Sequence, residues 1–207
     1  MWELVLLGLG MGLYAGFAPG PLLTLVVAET LRAGVRAGIA AALAPLLTDA
    51  PIIMLSLWGL SRISNSDGVL GAISIVGAIA VFYYGVNGIR SGVDTTDSRA
   101  AATGSLLRGI VVNAMSPHPY LFWGTVGAPI MLRSHQQLGL SGPLVFLVCF
   151  FALLVGGKVV VAILTSASKR YLGTKGHIIV MRGSGLLLCG FALLLLRDGV
   201  RLLGVMP

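Results

Sequence analysis

The sequence predicts an all-α polytopic membrane protein: six transmembrane helices forming two inverted three-helix repeats, the first helix of each half broken by a Pro-x-Pro. Three observations carry this expectation: an apolar composition, six apolar runs, and a proline-bracketed motif that occurs twice, Pro19-Gly20-Pro21 and Pro117-His118-Pro119. Hydrophobic residues make up 57% of the 207 and charged residues only 10%, against roughly 25% charge in soluble domains. At a mean hydropathy of +0.96, no water-soluble fold could hide so much apolar surface. A crossing helix needs about 20 apolar residues to span about 30 Å of hydrocarbon.

Apolar runs set against polar punctuation place the spans near Leu4 to Ala28, Ala37 to Leu60, Val69 to Ile89, Leu106 to Met131, Pro143 to Ala167 and Ile178 to Leu203. The longest hydrophilic stretch runs from Ser91 through Asp94, Asp97 and Arg99 to Gly104 and has no sustained apolar period, so it reads as a cytoplasmic linker. The chain is thus a single transmembrane domain, 1–207, with repeats at 1–90 and 105–207 joined by 91–104.

Short cytoplasmic loops collect Lys and Arg. With the N-terminus outside, the inner side holds Arg32, Arg36, Arg90, Arg99, Arg108, Lys169, Arg170, Lys175 and Arg182, and the outer side only Arg62, Arg133, Arg197 and Arg201. Both termini are therefore expected outside, with Trp2 and Trp58 at the outer interface. Three spans per half would insert the second half upside down. In support, Phe17-Ala-Pro-Gly-Pro-Leu-Leu23 lies over Met115-Ser-Pro-His-Pro-Tyr-Leu121, and Asn87-Gly-Ile-Arg90 lies over Asp198-Gly-Val-Arg201.

The net charge of +7 does not indicate nucleic acid, because the bases sit in short clusters between apolar spans without interleaved aromatics. Met1-Trp2-Glu3 lacks the basic n-region of a cleaved signal, so the N-terminus is expected to be retained. Cys149 and Cys189 lie in apolar runs without a CxxC or histidine-rich neighbourhood, which gives no support to a disulfide, redox or metal site. No phosphate loop points to ATP, no hydrolase or zinc-protease motif points to an enzyme, and no cofactor is implied.

Proline lacks an N–H and clashes with the carbonyl four residues back, so each Pro-x-Pro breaks its helix and frees backbone groups. In hydrocarbon such groups are tolerated only inside protein or beside a watery cavity. Broken transporter helices build their midplane sites in this way. Pro19, Gly20, Pro21, Pro117 and Pro119 are accordingly candidate substrate- or proton-binding positions; the bland alternative is a kink kept for packing.

Asp49 stands between Pro45 and Pro51 in an otherwise apolar span. An unpaired charge there costs on the order of 2.5 to 3.5 kcal/mol on insertion scales, so the acid must be paired, hydrated or protonated. It is the candidate proton carrier, with a role as partner of a freed backbone N–H as the alternative. Lys158 follows Gly156-Gly157 well inside the fifth span, too deep to snorkel easily. Its expected partners are Asp49 or a substrate carboxylate, and a purely structural ion pair is the alternative. His118 inside the second break adds an imidazole that could relay protons or cap a helix. Asn113 and Ser116 are candidate polar lining, and Tyr14, Thr24 and Tyr120 weaker ones. Glu29, Arg32 and Arg36 at helical spacing read as a surface ion pair at the inner edge, a cytoplasmic gate being the alternative. Arg197 and Asp198 read as interfacial anchors. The patterns Gly8-x3-Gly12 and Gly34-x3-Gly38 imply tight packing; a homodimer is compatible with them, but they are too common to specify one.

Several blocks together resemble the lysine exporter (LysE/RhtB) family of amino-acid efflux proteins: Ala18-Pro-Gly-Pro-Leu22, Arg32-Ala-Gly-Val-Arg-Ala-Gly38, Asp49, Leu107-Arg-Gly109 and Asn113-Ala-Met-Ser-Pro117. The resemblance covers nearly the whole chain. It implies a small bacterial inner-membrane protein that exports amino acids or related solutes, proton exchange driving it, with roles for Pro19, Gly20, Pro21, Asp49, Asn113 and Pro117. The family usually has Asn where Leu22 stands and Asn-Pro-Lys where Ser116-Pro117-His118 stands, so the chain looks like a divergent branch.

The expected function is therefore secondary export of a small polar metabolite by proton antiport with alternating access, its partners being substrate, protons and the lipid bilayer. Distant relatives move divalent cations, so a metal-ion exporter is one alternative; a non-transporting membrane accessory subunit is another.

Overall fold

The computed structural model describes residues 1–59, 67–90, 98–169 and 174–204. Arg62, Asp94, Asp97 and Arg170 lie outside the described residues, as do the side chains of Arg99, Lys169, Lys175 and Pro117. Every element among the described residues is helical: α1 (Trp2–Phe17), α2 (Pro21–Ala33), α3 (Val35–Ala42), α4 (Ala44–Trp58), α5 (Asp67–Arg90), α6 (Ser98–Ala114), α7 (Pro117–Phe122), a π-helical turn (Trp123–Gly127), α8 (Ala128–Leu138), α9 (Ser141–Lys169) and α10 (Thr174–Leu202). Residues 98–104 of the expected linker are thus the first turns of α6.

Among the described residues three helical segments are long and apolar enough to cross a membrane, Val35–Trp58, Ser141–Ser168 and Arg182–Arg201; the bent pair α1–α2 makes a fourth if it is one span. The other two expected spans are less regular: α5 contains a shorter apolar helix, Ser74–Asn87, and the stretch from α6 to α8 is interrupted by a break and the π turn.

Both interruptions fall at the paired prolines. At the first, Ala18 leaves helical geometry and Gly20 is fully extended (φ −171°, ψ 177°) before Pro21 starts α2, because proline's fixed φ suits a first helical position and its missing N–H costs nothing there. The two helices meet at a bend of 58°. At the second, extended Ser116 (φ −94°, ψ 138°) precedes Pro117 at the start of α7.

Helix α1 runs parallel to α9, α3 and α4 pack on α6, and α5 pairs along its length with α10. Gly8, Gly12 and Gly16 make the first contact so close that an added Cβ would meet the backbone carbonyls of Phe146, Phe150 and Leu153. In lipid, where helices gain no hydrophobic drive to associate, such backbone approach is what packing relies on. The Gly8-x3-Gly12 face is therefore consumed inside the chain. The aromatic part of the core lies between the breaks: Trp123, Phe146 and Phe150 are fully buried with Ile52, Ile53 and Met131.

Candidate site at the two helix breaks

The second break is built around Asp49. Four residues before Pro117, Asn113 Nδ2 donates to Asp49 Oδ1 at 2.9 Å and to Thr48 Oγ1 at 2.6 Å. Thr48 Oγ1 itself reaches Asp49 Oδ1 at 3.2 Å, and Trp123 Nε1 donates to Oδ2 at 3.1 Å. Asp49 is 4% exposed, yet both its oxygens are satisfied, as a buried carboxylate requires. Asn113 and Trp123 come from the opposite half of the chain, Thr48 from the same helix as Asp49. Trp123 is held by the aromatic rings around it, edge-on to Phe150 at 5.3 Å between centroids and stacked on Phe151 at 5.9 Å. It opens the π turn, a distortion that often marks functional positions, and its ring lies where a Cβ on Gly127 would be.

Side chains bind carbonyls at the end of α6, where the helical ladder stops. Ser116 Oγ donates to Val112 O at 2.7 Å and Tyr120 Oη to Ala114 O at 2.8 Å, while Ser116 N takes Asn113 O at 3.2 Å. Met115 O, deprived of a donor by Pro119, faces the backbone of Gly77, where a Cβ would overlap it.

Lys158 serves the first break. Its Nζ donates to Ala15 O at 2.8 Å and Gly16 O at 3.3 Å. In a continuous helix Ala15 O would accept from the N–H of residue 19, which as proline has none. The expected Asp49–Lys158 ion pair is absent: among the described residues no carboxylate lies within 4.0 Å of Nζ, although the two charges are within electrostatic reach. The freed carbonyls compete for the ammonium at shorter range.

Glu29, expected at the surface, is 4% exposed. Arg32 Nη2 binds its Oε2 at 2.8 Å, Arg108 Nη1 binds Oε1 at 2.9 Å and Oε2 at 3.0 Å, and Ser105 Oγ also donates to Oε2. Arg108 and Ser105 belong to α6, so the pairing joins the two halves; Arg36 points outward and takes no part.

Of the remaining expected site residues, Asn113, Ser116 and Tyr120 sit at the second break, whereas His118 is exposed and makes no hydrogen bond among the described residues. Tyr14 is 79% exposed. Pro19, Gly20, Pro21 and Pro119 shape backbone, and Thr24 contributes its N–H to Gly20 O at 3.0 Å. Sequence reasoning missed Trp123, although a tryptophan inside a span, unlike Trp2 and Trp58 at span ends, must find a partner for its N–H. Among the described residues no three His, Cys, Asp or Glu side chains converge as metal ligands would, so nothing there favours a divalent cation as cargo.

The family model of the LysE type translocator matches residues 13–199. No curated protein and no solved structure gives a match. The matched region takes in both breaks, Asp49, Glu29 and Lys158, and a translocator implies a small-molecule substrate and a lipid environment. The chain belongs to the LysE type translocator family, multi-pass membrane exporters of amino acids and similar solutes.

Proposed function

We propose that this protein is a proton antiporter that exports a small polar metabolite, an amino acid or derivative, from the bacterial inner membrane with both termini outside. The observation that carries the reading is Asp49: a buried carboxylate inside a span, held by Asn113 and Trp123 of the other half beside a broken helix. An intramembrane acid marks an ion or substrate path. Asp49 gives up its proton to one side and accepts the cargo's polar group in its place, and the donors from the second half release it as the halves rock.

Helix pairing supports six spans in two inverted repeats. Exchanging the halves turns the parallel contact of α1 with α9 into that of α6 with α3 and α4, and returns α5 with α10 to itself. The same exchange superposes Ala15 on Asn113, each four residues before its proline, and relates Lys158 to Asp49. Setting Lys158 on Asp49 lays Val35–Trp58 over 144–167, inside α9. Each half thus sends one charge from its second span into the other half's break. Glu29 with Arg108 and Ser105 acts as the cytoplasmic gate, closed in this conformation.

Comparing the metabolites released by cells with and without the protein tests the function directly. An excess of one or a few amino acids or derivatives outside the expressing cells is the expected result. Release of divalent metal alone, or no difference, would remove the reading.

A further inference from the structure

Lys158 is a buried charge that the proton-carrying role of Asp49 does not use, and its surroundings are those of a cation site. Two backbone carbonyls, Ala15 O and Gly16 O, point at Nζ from 2.8 and 3.3 Å. They lie at the C-terminal end of α1, where the helix dipole favours positive charge and where no basic residue of α1 itself is present. Pro19 makes the first of them permanently short of a backbone donor. In broken-helix transporters, carbonyls of this kind at half-helix C-termini coordinate the free coupling cation.

We infer that the ammonium of Lys158 occupies the seat of a monovalent cation, so that the protein carries its own tethered ion at the first break and needs no sodium there. Two features fit a tethered ion better than an ion pair. The oxygens that accept from Nζ are backbone carbonyls, with no carboxylate within 4.0 Å among the described residues, and the side chain is 4% exposed, so bulk ions do not compete for the seat. Gly157 lets the approach happen, since a Cβ there would press on the Phe17 ring and the Gly16 backbone at 3.1 and 3.2 Å. Trimming Lys158 to Ala leaves the carbonyls and opens the space the ammonium held; Met fills that space and offers no charge.

Thermal melting of the full-length protein in detergent, in sodium, methylammonium or choline chloride at equal ionic strength, reads occupancy of the seat without assuming any cargo. The wild type melts at one temperature in all three salts. K158A melts lower by about 5 to 10 °C in choline, as expected for carbonyls left bare, and regains at least half of that in methylammonium or sodium. K158M is lowered similarly and regains nothing. Cation-dependent melting of the wild type would overturn the inference, as would K158A or K158M as stable as wild type, or K158A indifferent to the salt. Because no transport is measured, these outcomes stand apart from the fate of the antiport reading.

Discussion

At the residue scale, buried hydrogen bonds converge on Asp49 from Asn113, Thr48 and Trp123. Trp123→Phe keeps an aromatic, though smaller, ring against Phe150 and Phe151 but deletes the N–H on Oδ2. A hydrogen bond to a charged group contributes about 1.5 to 3 kcal/mol, so the variant should melt lower in detergent and lose most proton-driven transport; unchanged values in both assays would show that the indole is mere packing. His118→Gln, by contrast, should transport like wild type, because His118 is exposed and outside the cluster. Asp49 and Asn113 were legible in the sequence, since a carboxylate and an amide stand out in apolar spans. Their partner was not, because a tryptophan 74 residues away looks like one more apolar residue until the fold brings it round. Lys158 was legible as a buried charge, but its partner was not: backbone carbonyls carry no sequence signal beyond the proline that frees them.

At the scale of elements, prolines decide where helices stop and glycines decide how closely they approach. The two breaks could be placed from sequence because proline's missing N–H is a local fact, indifferent to tertiary context. The π turn at Trp123–Gly127 had no such local signature. Glycine in a helix is intrinsically worse than alanine by about 1 kcal/mol, so it is kept where a Cβ does not fit. Gly12→Ala would drive a methyl group into the Phe150 backbone, whereas Gly10 has nothing within 4 Å of the same position. Gly12→Ala should therefore cost about 1 to 3 kcal/mol of stability, and Gly10→Ala should be neutral or slightly stabilising. Thermal melting of the pair checks this with one helix and one substitution type; equal effects at both positions would contradict the close α1–α9 contact.

At the scale of the whole molecule, buried acids of the first half are held by groups of the second, Asp49 by Asn113 and Trp123 and Glu29 by Arg108 and Ser105. Glu29 read as a surface residue because sequence spacing sees only Arg32 and Arg36 on its own helix. What buries it is α6, whose Arg108 and Ser105 come from the second half. A double-mutant cycle with Glu29→Gln and Arg108→Gln should give a coupling within about 0.5 to 3 kcal/mol, read from melting. Additive effects would mean that the pair does not couple α2 to α6.

The central claim is that Asp49 carries the exchange. Proteoliposomes preloaded with an unlabelled mixture of the twenty standard amino acids, given the labelled mixture outside and an imposed pH gradient, test it most directly. Wild type should accumulate label in response to the gradient, and Asp49→Asn, which keeps the shape and the acceptor for Asn113 while removing the titrating group and the acceptor for Trp123, should not. Gradient-driven accumulation by correctly folded Asp49→Asn at the wild-type rate would contradict the account.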